Sequence, residues 1–112
     1  MYGTTLAKKQ NKANQYLLNE ILEASPQQII LKIYDVAILN CQKEDLAKTN
    51  NAIQELINSL RFDEENVRSI SFGLLRLYQY CQDQMRKQNY DIVHKILVDL
   101  RDTWISIFNR RN

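Results

Sequence analysis

Apolar positions recur along this chain with a helical period from Tyr16 to Phe108. The densest stretch runs from Ile29 to Cys41, where Ile29, Ile30, Leu31, Ile33, Tyr34, Val36, Ala37, Ile38, Leu39 and Cys41 are broken only by Lys32, Asp35 and Asn40. Wound as a helix, Ile29, Ile33, Ala37, Ile30, Cys41, Tyr34, Ile38 and Leu31 fill an unbroken arc of roughly 200°. A surface helix needs only about half of that. Ser25-Pro26 marks the start: a Ser hydroxyl can cap the free amides of a first turn, and Pro is tolerated there because its missing N–H had no partner.

The pattern predicts an all-α protein. Residues 1–13 are polar and read as a flexible tail. A short helix follows over about 14–23, with Tyr16, Leu17 and Ile21 on its apolar edge. Four main helices come next, over about 26–43, 44–61, 64–88 and 91–108. The second has one clean stripe, Leu46, Ile53, Leu56, Ile57 and Leu60, with Thr49 and Asn50 as polar exceptions. Phe62-Asp63 breaks it, and Asp63 is a candidate cap for the third. That third helix carries Val67, Ile70, Leu74, Leu77, Tyr78, Cys81 and Met85 at near-perfect spacing. The fourth, capped by Asp91, places Val93, Ile96, Leu97, Leu100, Trp104, Ile107 and Phe108 on its core face. Connections this short force consecutive helices antiparallel. The expected fold is an up-down-up-down four-helix bundle, with the short N-terminal helix packed on it as a cap.

Apolar surface is left over once the core stripes are assigned. Phe72 and Leu75 are rotated off the stripe of the third helix, Val98 and Ile105 off that of the fourth, and the first helix has its wide arc. Surplus of this kind marks an interaction face, although scattered apolar residues are also ordinary on a protein surface. The candidate partner-contact residues are Ile29, Ile33, Val36, Phe72, Leu75, Val98 and Ile105.

Composition narrows the picture further. The 112 residues suffice for one core, and two glycines with one proline argue against a turn-rich β fold. No apolar run approaches the roughly 18 residues of a membrane span, and the N-terminus lacks a signal-peptide core. Membrane insertion is therefore not expected. Cys41 and Cys81 fall on core stripes and read as buried free thiols of a reducing compartment. A net charge of +2, spread over both signs, does not call for nucleic acid. Lys8, Lys9, Lys12, Arg110 and Arg111 read as solvating ends.

Little here suggests catalysis. His94 is the lone histidine, no Cys pair has metal spacing, and Gly3 and Gly73 form no phosphate loop. Asp63, Glu64 and Glu65 complement a helix N-terminus better than they make an acid–base pair. A non-enzymatic protein with no cofactor and no metal is expected.

The motifs resemble the flagellar export chaperones of bacteria, the FliS family, over nearly the whole stretch from Tyr16 to Phe108. Tyr16, Asn19, Ala24, Ser25 and Pro26 resemble the family's opening, and Ile33, Tyr34 and Asp35 its Leu-Tyr-Asp. Ile53, Glu55, Leu56, Ser59 and Leu60 fall in register with its second helix. Leu77, Tyr78 and Tyr80 match its Leu-Tyr-x-Tyr, and Leu100, Arg101, Asp102 and Trp104 its closing pattern. The chain departs from the family at Val36, where Gly is usual, and at Asp83 and Gln84, which replace paired arginines. The connections after the first and third main helices look shorter than the family's, by about three and about two helical turns. Both lie at one end of the expected bundle, so trimming them together leaves the packing register intact.

The resemblance implies a cytoplasmic chaperone that binds the disordered C-terminal segment of flagellin in an apolar groove and presents it to the export gate. It also implies that the segment around Tyr16, Asn19 and Ile21 acts as a regulatory cap, filling part of that groove when the client is absent. A monomer or weak homodimer is expected. The alternative is a helical adaptor that uses the same apolar face for homodimerisation or for another partner.

Overall fold

The structure, a computed structural model, describes residues 26–110. The expected tail over 1–13, the cap helix over about 14–23 and the capping Ser25 lie outside the described residues. Within them are four helices, α1 (Pro26–Gln42), α2 (Leu46–Asn58), α3 (Glu65–Arg86) and α4 (Tyr90–Arg110). No strand occurs among the described residues.

The helix ends follow local chemistry. α1 and α3 stop in the same way, with a residue in the left-handed region one position beyond the helix cap: Glu44 (φ 58°) and Gln88 (φ 62°). After α1, the amides of Glu44 and Asp45 donate back to the carbonyls of Cys41 and Asn40 at 3.0 and 2.9 Å. After α3, Gln88 and Asn89 donate to Met85 and Gln84 at 3.0 and 2.9 Å. Both are Schellman closures, which satisfy orphan carbonyls and reverse the chain within three residues. Asp45 then caps α2, its carboxylate accepting from the Lys48 amide at 3.0 Å.

Several expected boundaries shift for these reasons. The second helix, expected over 44–61, begins at Leu46 because Glu44 is left-handed and Asp45 is extended, and it ends at Asn58. The third, expected over 64–88, spans Glu65–Arg86. Asp63 does not cap it: Glu64 holds that position without a side-chain capping bond, while the Asp63 carboxylate pairs with Arg61 at 3.1 Å. The fourth, expected over 91–108, spans Tyr90–Arg110, which moves Asp91 from the cap position into the first turn. The first ends one residue earlier than expected.

α1 packs on α2 and α4, and α3 packs on the same two, with α3 against α4 the slightest of the four contacts. All four contribute to one core, including Tyr34, Ala37 and Cys41 of α1, Ile53 and Leu56 of α2, Tyr78, Cys81 and Met85 of α3, and Val93 and Leu97 of α4. Across α1 and α4 the side-chain pairs are Asp35 with Arg101 and Gln42 with His94, stepping in opposite directions. Across α1 and α3 they are Tyr34 with Tyr78 and Cys41 with Met85, stepping in the same direction.

A polar clamp joins α2 to α3. Gln82 donates to the Asn50 carbonyl and to Gln54 Oε1, and Asn50 donates back to the Gln82 carbonyl, each at 3.2 Å. Thr49, a polar exception in the sequence pattern, is fully buried, and Ser71 and Gln82 are buried too. Conversely, Leu46 and Ile70, assigned to core stripes, are exposed, Ile70 at 62 %. The connection from Ser59 to Glu64 is strapped to α3 by Ser71, which donates to the Arg61 carbonyl at 2.6 Å, and by Arg68, which donates to the Phe62 carbonyl at 2.9 Å.

Candidate binding groove

Five of the residues read as motif positions converge. The hydroxyls of Tyr34 and Tyr78 are 2.5 Å apart, and the Trp104 indole N–H donates to Tyr34 Oη at 3.0 Å. One residue along α1, Asp35 accepts from Arg101 Nε at 2.6 Å across the surface between α1 and α4. The Leu-Tyr-x-Tyr, Tyr-Asp and closing Trp patterns therefore share one physical purpose: they fasten α1, α3 and α4 to one another at a single level of the molecule. Burial raises the Tyr34 phenol above its usual range and the Tyr78 phenol further still, so both stay protonated at ordinary pH.

Above this trio the helices do not close. An apolar groove of about 510 Å³ opens there, and Tyr78 and Trp104 belong to its lining. Ile30 of α1, Leu60 after α2, Val67, Ile70 and Leu74 of α3 and Phe108 of α4 form its apolar walls. Pro26, the first residue of α1, also lines it. Arg61 and Glu64, which pair at 3.1 Å, supply charge at its margin. The volume and apolar walls suit an amphipathic peptide segment.

The seven predicted contact residues fall elsewhere. Ile29, Ile33 and Val36 lie along α1, with Ile33 half-buried against the core and Val36 46 % exposed. Phe72 is 47 % exposed and tilts against Phe62 with ring centres 4.9 Å apart, on the side where Ser71 holds the α2–α3 connection. Leu75, one turn beyond Ser71, is half-buried. Val98 and Ile105 are half-buried one turn beyond His94 and Arg101, the residues that reach α1. None of these seven positions lines the groove. Tyr16, Asn19 and Ile21 lie outside the described residues.

The apolar groove residues fall on stripes that the sequence pattern assigns to the core. Val67, Ile70 and Leu74 keep the same period as the buried Tyr78, Cys81 and Met85, and periodicity carries no record of where a bundle splays open.

The other reactive side chains are quiet. Cys41 and Cys81 are both buried and free. The Cys41 thiol donates to the Tyr90 carbonyl at 3.4 Å and lies 3.9 Å from the Met85 sulfur. Burial pushes the Cys41 thiol up, with the Asp91 charge adding to it, and burial pushes Cys81 up to about 12. Thiols held protonated in this way are poor nucleophiles and poor metal ligands. His94 Nε2 shares a hydrogen bond of 3.1 Å with Gln42. Among the described residues no group of three or more His, Cys, Asp or Glu is placed to hold a metal ion, and no helix is long and apolar enough to cross a membrane.

The described residues thus form a four-helix assembly with an apolar groove open over its polar-fastened core. Residues 9–111 match the family described as flagellar protein FliS, and the chain belongs to that family. Membership implies a flagellar export chaperone, and the family is one of chaperones rather than enzymes. No curated protein and no solved structure matches the chain.

Proposed function

We propose that this chain is a cytoplasmic, non-enzymatic export chaperone that binds the disordered C-terminal segment of flagellin. Binding keeps the subunit from polymerising early and presents it to the export gate. The observation that carries this reading is the apolar groove built over the family's own motif residues, Tyr34, Tyr78 and Trp104. A client segment folding there as an amphipathic helix covers the exposed walls, Ile70 above all. A disordered chain that orders on binding can also wrap beyond one groove. Ile29, Ile33, Val36, Phe72, Leu75, Val98 and Ile105 are the positions such wrapping reaches.

The same reading gives one domain over 14–112 with a tail over 1–13, arranged as an up-down-up-down bundle. The opposed steps of the α1–α4 pairs and the two three-residue reversals support that topology. The segment holding Tyr16, Asn19 and Ile21 is the regulatory cap: it leads into Pro26, which already lines the groove. A cap that competes with the client lowers apparent affinity by the fraction of molecules in which it is closed.

Calorimetric titration of the purified chain with a peptide from the host's flagellin C-terminus, with circular dichroism in parallel, tests the proposal. The expected outcome is saturable binding with a gain of helix and a negative heat-capacity change. Ile70→Asp abolishes most of the affinity, and Tyr16→Ala increases it. Absence of binding together with a dimer that persists on dilution replaces the chaperone with a helical adaptor.

A further inference from the structure

Proton counting at the base of the groove reveals an unspent donor. Tyr34, Tyr78 and Trp104 together carry three N–H or O–H protons, and two hydrogen bonds join them. The indole N–H can only donate, so Tyr34 Oη must accept from it. One hydroxyl proton of the tyrosine pair is then left without a partner. Accepting from Trp104 polarises the Tyr34 hydroxyl and favours its own donation onward to Tyr78. The bond between the two hydroxyls is open to either direction; with Tyr34 donating, the chain runs from Trp104 to Tyr34 to Tyr78 and leaves the Tyr78 proton free. The reverse order would strand a proton on Tyr34, which is fully buried and does not line the groove, whereas Tyr78 does.

We infer that the Tyr78 hydroxyl is a specificity-determining donor, and that the groove selects a client segment carrying a carbonyl acceptor within an apolar stretch. An Asn or Gln side chain, or a main-chain carbonyl at the end of a client helix turn, has that chemistry. Water can take the proton while the groove is open. A purely apolar occupant displaces that water and leaves the donor buried and unpaired, a loss on the order of tenfold in affinity. The apolar walls supply the attraction, and the hydroxyl fixes the register of the bound segment. This inference rests on the groove being the client site, but its test does not need the client.

The test compares two small probes of nearly the same shape, cyclohexanone and methylenecyclohexane, which differ in a carbonyl acceptor. Each is titrated into the full-length chain and followed by the methyl resonances of Ile70 and Leu74. The expected result is that the ketone-to-alkene affinity ratio falls about tenfold in Tyr78→Phe relative to the unmodified chain. Tyr80→Phe, on the exposed side of α3, leaves the ratio unchanged. Trp104→Phe keeps the Tyr78 hydroxyl but removes the group that orients it, and lowers the ratio by less; it serves in place of Tyr78→Phe should that variant fail to fold. A ratio that stays within about twofold in both groove variants, or failure of the ketone to bind the unmodified chain, overturns the inference. A preserved ketone preference in a chain that ignores the flagellin peptide removes the chaperone reading and keeps the donor site. The opposite pair of results removes the donor site alone.

Discussion

The two halves of α3 have the same apolar period and opposite fates. From Tyr78 to Met85 the helix is enclosed: Tyr78, Cys81, Gln82 and Met85 are all buried. From Glu65 to Leu77 only Ser71 is buried, and Ile70 and Phe72 are exposed. The difference lies in what faces each half. The enclosed half meets Cys41, Val93 and Leu97 near the two tight reversals, which hold α1 to α2 and α3 to α4. The open half lies beside the longer connection, the six residues from Ser59 to Glu64, four of which line the groove with it. Short links mark the closed end of the molecule, and the longer link lies beside the open one.

Cavity-forming substitutions probe this contrast most strongly. Leu97→Ala, in the enclosed half, should cost about 3 kcal/mol, while Ile70→Ala should cost less than about 0.5 kcal/mol in urea denaturation. Equal costs would mean that the open half is covered in solution. The same pair of variants should diverge in client affinity in the reverse order.

Alkaline pH attacks the enclosed half selectively. In the unfolded chain Cys81 ionises near its ordinary 9.0, but burial holds the native thiol protonated up to about 12. Between those values the unfolded state binds fewer protons than the native state, so stability falls as pH rises. Below pH 9 both states are protonated and this group contributes no pH dependence. Tyr34 and Tyr78, also raised by burial, add to the fall above pH 10. Denaturation midpoints taken at a series of pH values should be flat below 9 and decline above it. Cys81→Ala should flatten the first part of that decline.

The smallest effects come from glycine placement. Gln88 adopts the left-handed conformation at the closed end, where Gly avoids a Cβ penalty of about 1–2 kcal/mol less its own chain-entropy cost. Gly73 stands mid-helix in the open half, where an added Cβ would meet nothing within 4 Å. Gln88→Gly and Gly73→Ala should each raise stability by about 0.5–1 kcal/mol, read as shifts in urea midpoint. A loss on Gly73→Ala would show that this face is occupied by something the helices themselves do not provide.

Much of this architecture could be read along the chain. Ser25-Pro26 and the arc from Ile29 to Cys41 set the first helix within one residue of its observed end, and the buried, free cysteines lie where their stripes place them. The caps were less legible. Asp63 looked like a cap because a carboxylate before a helix usually is one, but Arg61, two residues away, claims it. Glu44 and Gln88 gave no signal, since a left-handed closure is normally announced by Gly or Asn.

The groove was hidden for a different reason. Periodicity reports which side of a helix is apolar, and that side was right for Val67, Leu74 and Tyr78. It does not report whether a neighbouring helix arrives to cover it. Phe72, Leu75, Val98 and Ile105 lie off the core stripes, and none of them lines the groove. The sequence by itself determined the all-helical class, the family and the residues able to be buried, because these depend on local period and residue chemistry. Only the tertiary structure decided which of them are buried, because covering a stripe depends on helices from distant parts of the chain, as where Ile30, Val67, Leu74 and Phe108 meet around one groove. The hydrogen-bonded meeting of Tyr34, Tyr78 and Trp104 was decided there too, by helices far apart in the chain that come to a common level only when packed.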